Sequence, residues 1–253
     1  MKKLLLLSAL LIFACSSDES SDTNNDDNNN NNTFICDGVP YDSIVYGTQE
    51  WTVENACHIT YRDGTPIPEV TDSAEWDNLT KGAWAYFDND PTKPRLYNWY
   101  AVMGIYDSAS FSDATLRKEF APEGWHVPSD AEWTTLEEYL IANGYNYDGT
   151  TTGNKIAKAM ASTTGWISYT ETGLTGLIGN DQSLNNDSGF NAFPEGYRLS
   201  LGSFSDEGST ALFWSSTEFS MGAWTRYLGS HNSDLIWSLD NKQYGYSVRF
   251  VRD

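Results

Sequence analysis

Residues 16 to 32 read SSDESSDTNNDDNNNNN, a run without a single hydrophobic side chain. Such a segment cannot bury enough apolar surface to offset the entropy of ordering its backbone, so it is expected to be a flexible spacer. Upstream stands MKKLLLLSALLIFAC: two lysines, an apolar run from Leu4 to Leu7 and from Ala9 to Ala14, then Cys15. That run is shorter than the roughly 20 apolar residues a bilayer-spanning helix needs. Its charged start and apolar centre suit a secretory signal peptide over residues 1–14. The folded part is then residues 33–253, a length compatible with one sizeable domain, and no later Pro/Gly/Ser-rich stretch marks a second boundary.

The ending Ile12-Phe13-Ala14-Cys15 resembles a bacterial lipobox, in which the peptide is cut before the cysteine and the thiol takes the lipid. The resemblance implies an anchor at Cys15 and a tether over residues 15–32. The Ser/Asp/Glu start of the tether also resembles the export signal of surface-displayed lipoproteins in Bacteroidetes, which implies an outer-membrane, cell-surface location. Simple periplasmic anchoring is the alternative.

Charge narrows the partners. Of 15 basic and 35 acidic residues, two and five lie in residues 1–32, leaving 13 and 30 and a net of −17 for the remainder. A nucleic-acid partner would need a basic footprint to neutralise phosphates, and an anionic lipid surface would be repelled. Metal cations and neutral polymers remain. After Cys15 only Cys36 and Cys57 are left. In an exported chain that pair is expected to form a disulfide, contributing about 3 kcal/mol through the unfolded state.

Residues 43 to 61, SIVYGTQEWTVENACHITY, alternate β-branched or aromatic residues with polar ones, as half-buried strands do. Helical signal is scarce. Its clearest instance follows Pro128, where Ser129 and Glu132 make the S-x-x-E capping box and Trp133, Leu136 and Leu140 form one apolar stripe. A second helix is expected over 154–162, with Ile156, Ala159 and Met160 on one face. Toward the C-terminus FWSSTEF, AWTRYLGS, DLIWSLDN and YGYSVRFVRD are short β-rich runs separated by turn residues, as in a meander. The fold class is therefore α+β, with two short helices, a mostly antiparallel twisted sheet and long irregular loops.

Seven blocks in order, GTQEWTVEN (47–55), YRDGTPIP (61–68), LYNWYAV (96–102), APEGWHVPSDAEW (121–133), GFNAFPEGYR (189–198), FWSSTE (213–218) and YGYSVRFVRD (244–253), resemble the Fibrobacter succinogenes major paralogous domain. WHVPSDAEW with the Gly-aromatic-Arg ending also resembles, more distantly, the sulfatase-modifying, formylglycine-generating domain, which implies a C-type-lectin-like fold. That enzyme's chemistry rests on a late cysteine pair, and no cysteine follows Cys57, so its activity does not carry over. The related iron-dependent sulfoxide synthases need a histidine cluster on a helical partner domain, which is lacking too.

Catalytic sets are not apparent. His58, His126 and His231 are far apart, with no HExxH, and no GxSxG elbow occurs. Glu132 and Asp130 beside His126 already have uses, the first in the cap and the second at the helix N-terminus, where the dipole favours an anion. Binding has more support. Ten tryptophans and fifteen tyrosines are many for one small core, and aromatic platforms flanked by Asn and Asp suit stacking on sugar rings or gripping polypeptide. The candidate ligand-binding residues are Trp224, Asn232, Trp237 and Tyr244. No metal ligand set and no cofactor are expected, although the acid-rich loops 88–90 and 205–209 could offer oxygens to calcium. Asp42-Ser43-Ile44, Asp72-Ser73-Ala74 and Asp107-Ser108-Ala109 resemble O-glycosylation acceptors of Bacteroidetes. The expected function is a non-catalytic, lipid-anchored surface module binding glycan or protein. The rivals are an extracellular polymer-acting enzyme using carboxylates and a structural surface-assembly protein.

Overall fold

Helix entrances and strand register shape this molecule more than element length does. The computed structural model describes residues 35–36, 39–170 and 173–253, with side chains from residue 41 onward. The expected signal peptide, the lipidated Cys15 and the tether lie outside the described residues, as does the side chain of Cys36.

Two ladders open the described chain: β1 (Ile35–Cys36) with β2 (Val39–Pro40), then β3 (Ser43–Tyr46) with β4 (Gln49–Thr52). Tyr46 pairs with Gln49, so the turn is two residues long, and Gly47 takes the positive φ it requires (64°). The expected strand run stops at Thr52. After it come α1 (Ser73–Asp77), the pair β5 (Trp84–Tyr86) and β6 (Arg95–Tyr97), α2 (Trp99–Val102), α3 (Ser108–Ser112) and β7 (Trp125–His126). Then follow α4 (Asp130–Ala142), α5 (Ala157–Met160), the pair β8 (Tyr197–Arg198) and β9 (Phe204–Ser205), the meander β10 (Thr210–Phe219), β11 (Gly222–Gly229) and β12 (Ile236–Asn241), and finally β13 (Val251–Arg252). β13 lies between β4 and β7 in a four-stranded sheet of order β3-β4-β13-β7. The class is thus mixed α and β, with few helices and several antiparallel sheets.

Three expectations need correction. Instead of one sheet the described residues hold five, two of more than two strands, because the runs between turns are short and many turns use residues at positive φ. Instead of two helices the described residues hold five. Asp72, Asn98 and Asp107 each accept from a first-turn amide, Glu75, Ala101 and Ser110, at 2.8 to 2.9 Å, so short polar side chains start helices where no long apolar stripe exists. Two of the three Asp-Ser-small patterns are therefore helix caps. The helix expected over 154–162 shrinks to Ala157–Met160. Asn154 is held elsewhere, its amide nitrogen donating to Leu235 O (2.8 Å) and its oxygen accepting from Leu235 N (3.0 Å).

The helix after Pro128 forms as its cap prescribes. Ser129 Oγ accepts from Glu132 N, Glu132 Oε2 accepts from Ser129 N at 2.7 Å, and Trp133, Leu136 and Leu140 are fully buried. Trp133 meets Trp51 edge-on at 4.7 Å between ring centres and packs with Phe190 and Phe213.

Residues from three of the resembling blocks also meet inside. Glu195 accepts from Asn55 Nδ2 and Ser247 Oγ, both at 2.6 Å. Arg249, buried, donates to Thr52 O (2.9 Å), to Val53 O and to Asn55 Oδ1, and its guanidinium lies over the Phe190 ring. A buried cation needs partners for its donors, and here the Thr52, Val53 and Asn191 carbonyls and the Asn55 side chain supply them. These motif residues fasten the C-terminal segment to the N-terminal hairpin.

Candidate functional site

The β10–β12 meander sets the site, because strand alternation sends neighbouring residues to opposite faces. Leu212, Tyr227 and Ile236 stand opposite one another across the three strands, as do Trp214, Thr225 and Ser238. All six share one face. Phe213, Arg226 and Trp237 share the other, with Trp224 and Leu239.

The Arg226 face turns toward α4. Arg226 Nη1 donates to Asp130 Oδ1 at 2.6 Å and Nη2 to Asp130 O at 3.2 Å. A register break in β10 between Trp214 and Glu218 re-aims the backbone there: Ser216 N donates to Pro128 O and Thr217 Oγ1 accepts from Asp130 N. Asp130, expected to act only through the helix dipole, is the ion-pair partner of a buried arginine.

The Tyr227 face borders a cavity of about 400 Å³. Its floor is Thr210, Leu212, Tyr227, Ile236, Ser238 and Asp240, and Tyr197, Asp206, Tyr244 and Tyr246 complete it. The segment 244–247 reaches this place through backbone bonds on three sides. Tyr246 exchanges two bonds with Tyr97 (2.9 and 3.0 Å), Gly245 two with Arg198 (2.8 and 2.9 Å), and Ser247 joins Leu212 and Trp214. This corrects the expected fourth meander strand: only Val251–Arg252 of that run is a strand. Gly196, at φ 66°, lets the chain turn into β8, since a Cβ there would stand 2.6 Å from Ser205 O.

The cavity is aromatic and acidic. Tyr244 and Tyr246 stack at 5.6 Å between centres, and Tyr197 is 6.2 and 6.0 Å from them. Asp240 accepts from Thr225 Oγ1 (2.9 Å) and Ser238 Oγ (3.2 Å). Burial, with the nearby Asp240 carboxylate, holds the Tyr246 hydroxyl well above its usual range, so it stays protonated. Burial and then the hydrogen bond to Asp206 likewise raise Tyr197. No Lys, Arg or His lines the cavity, and among the described residues neither Asp206 nor Asp240 has an ion-pair partner.

The four residues singled out from sequence are not brought together. Tyr244 lines the cavity. Trp224 and Trp237 lie on the opposite face, edge-on at 5.3 Å, with Trp237 61% exposed. Asn232 sits in the β11–β12 connection, its amide donating to Gly229 O and its carbonyl accepting from Ile178 N. Sequence reasoning missed Tyr197, Tyr227, Asp240 and Tyr246, and reached Asp206 only as part of the acid-rich loop 205–209. One signal was present: the period-two pattern of Ile236, Ser238 and Asp240, which excludes Trp237 from their face.

The histidines separate by environment. Burial lowers His58 to about 4, keeping it neutral against Phe120, 4.4 Å away. His126 Nε2 meets Glu132 Oε1 at 2.6 Å and Nδ1 meets Asp253 Oδ1 at 2.8 Å, so both ring nitrogens are engaged by carboxylates and neither is open to a substrate proton. Glu132 thus serves the cap and the histidine together. His126 also borders a second cavity of about 410 Å³, with Arg117, Lys118 and Ser216. Among the described residues no group of three His, Cys, Asp or Glu side chains could hold a metal ion. In loop 88–90 Asp90 caps Thr92, and in loop 205–209 Asp206 faces the cavity while Glu207 pairs with Lys93. Among the described residues no helix is long and apolar enough to cross a membrane.

The family model for the Fibrobacter succinogenes major domain matches residues 44–252. Searches of the curated proteins and of the solved structures return no match.

Proposed function

Since the chain belongs to the Fibrobacter succinogenes major domain family, and given its tyrosine-lined cavity, we propose that it is a non-catalytic binding module whose ligand, a glycan or protein group, seats between Tyr197, Tyr244 and Asp240. The proposal includes a C-type-lectin-like fold, a Cys36–Cys57 disulfide, and display at the outer-membrane surface on a lipid at Cys15 and the tether 15–32. It requires no cofactor. The observation that carries it is the cavity: about 400 Å³, within the size range of small-ligand sites, with stacked aromatic walls and a few oriented polar groups. Aromatic faces offer contact area at low entropic cost, and the hydroxyl-held Asp240 fixes orientation.

One specific observation favours the enzyme rival: two carboxylates, Asp206 and Asp240, border the same space, and glycoside hydrolysis employs such a pair. A glycan-array and pull-down screen of the full chain, with and without calcium, separates these readings. Binding lost in Tyr244→Ala and kept in Trp237→Ala is the expected result. Shortened polymer in the incubation would establish the enzyme, and no ligand under any condition would sink the binding module.

A further inference from the structure

Acidic residues elsewhere in the described fold often already have a cation. Asp130 has Arg226, Glu50 has Arg252, Asp63 has Lys118, Asp148 has Lys155 and Glu218 has Lys242. The cavity reverses that pattern. Two carboxylates from different elements border it, only hydroxyl groups approach Asp240, and no basic side chain lines the space.

Around those carboxylates stand the half-buried rings of Tyr197, Tyr227 and Tyr244, while Tyr246 is buried behind them between Tyr244 and Trp214. An aromatic face carries the negative part of the ring quadrupole, so several rings about one cavity attract a cation whose hydration shell is weak. Asp240 is held by the Thr225 and Ser238 hydroxyls, neutral donors that fix its position without supplying a counter-ion. A hard metal ion fits this donor set poorly, since calcium takes six to eight oxygens and no third carboxylate converges here. The net charge of −17 outside residues 1–32 also draws cations toward the molecule.

We infer that the cavity between Tyr197, Tyr227, Tyr244, Tyr246, Asp206 and Asp240 binds a ligand through an organic ammonium group, either a quaternary ammonium or the protonated amine of an amino sugar. The inference rests on the cavity being the binding site and goes further by naming the charge it recognises. Asp240 supplies the counter-charge and Tyr244, backed by the buried Tyr246, supplies the aromatic wall. A volume of about 400 Å³ admits one sugar ring or a group of similar size.

The test is calorimetric titration of the full chain in non-ionic detergent with two matched pairs of probes. Choline is set against its neutral isostere 3,3-dimethylbutanol, and glucosamine oligomers against their N-acetylated counterparts. Which pair responds tells a quaternary ammonium from an amino sugar. In at least one pair the ammonium member is expected to bind about tenfold tighter or more, an advantage abolished by Asp240→Asn or Asp206→Asn. Asn tolerates the positive φ of residue 206 (63°), so that variant keeps the turn, and near-UV circular dichroism checks both folds. Equal affinity within each pair, lost in Tyr244→Ala, would overturn the ammonium inference and leave the cavity as the binding site. Binding of glycan-array ligands that none of these variants changes would overturn both. No binding of either ammonium probe overturns the inference as well.

Discussion

On one face of the β10–β12 meander, Arg226 holds Asp130 at 2.6 Å and Phe213 packs on Trp133; on the other face of the same strands, Asp240 has only hydroxyl donors and borders open space. The residue classes are alike, aromatic rings and charged groups in alternation. What differs is what the chain has placed opposite. Helix α4 arrives with its own carboxylate and tryptophan and covers the Phe213 and Arg226 part of the first face, leaving Trp237 and Leu239 exposed beyond it, so the charge under the helix is spent on internal pairing. The second face meets Tyr197, Asp206, Tyr244 and Tyr246, which add aromatic walls and a second acid but no cation. Residues under α4 should therefore govern stability, and those lining the cavity on the other face should govern ligand.

The largest effect that could break this division is expected at Arg226. Truncating it in Arg226→Ala leaves Asp130 unpaired and a void under α4, and should cost about 2–3 kcal/mol in urea denaturation. That sits at or below the range for fully buried pairs, because the Asp130 side chain is 34% exposed and water screens part of the loss. Asp240→Asn should cost less than about 1 kcal/mol, since the amide oxygen can still accept from Thr225 or Ser238. Equal costs for the two variants would erase the distinction between the faces. A smaller change comes at the entrance of α4: Ser129→Ala removes the cap acceptor for Glu132 N and is expected to cost about 1 kcal/mol by thermal melting.

Sequence made the closed face partly legible and left the open one hidden, for a physical reason. The cap of α4 and the stripe of Trp133, Leu136 and Leu140 are local patterns within one element, and local patterns survive tertiary context when both ends agree. The cavity draws Tyr197, Tyr227, Asp240 and Tyr246 from four segments joined by long-range backbone bonds, and no spacing encodes that meeting. Aromatic abundance was a blunt guide. Trp51, Trp76, Trp99, Trp133 and Trp214 are all interior, and Trp237, although exposed, lies on the wrong face by the parity of its strand. In two of the Asp-Ser-small patterns the aspartate, Asp72 or Asp107, is a helix cap, a role that short polar side chains take readily at helix entrances. Asp130 and Glu132 were each assigned one helix-end task, whereas each also reaches a distant cation or imidazole, Arg226 or His126.

The smallest expected effect belongs to His126, and it sharpens the closed side of the comparison through pH. Burial disfavours the charged imidazole, but the hydrogen bonds to Glu132 and Asp253 outweigh it, and His126 titrates above 6.5. Burial pushes Glu132 up, yet Ser129 and His126 together bring it below 4.5. The histidine, raised on folding, stabilises in full below its unfolded value and loses that contribution as pH rises through its folded value. The glutamate, lowered on folding, stabilises above its unfolded value and loses that contribution as pH falls. Their joint contribution is therefore complete only between about pH 4.5 and 6.5. Because the His126 side chain is 38% exposed, solvent should hold it below about 1 kcal/mol. The stability gap between the unaltered chain and His126→Gln is expected to be widest near about pH 5.5 and to narrow toward about pH 8.5, with ligand binding unchanged. A gap that stays constant across that range would mean the ring acts by packing against its neighbours and the two carboxylates contribute nothing through charge.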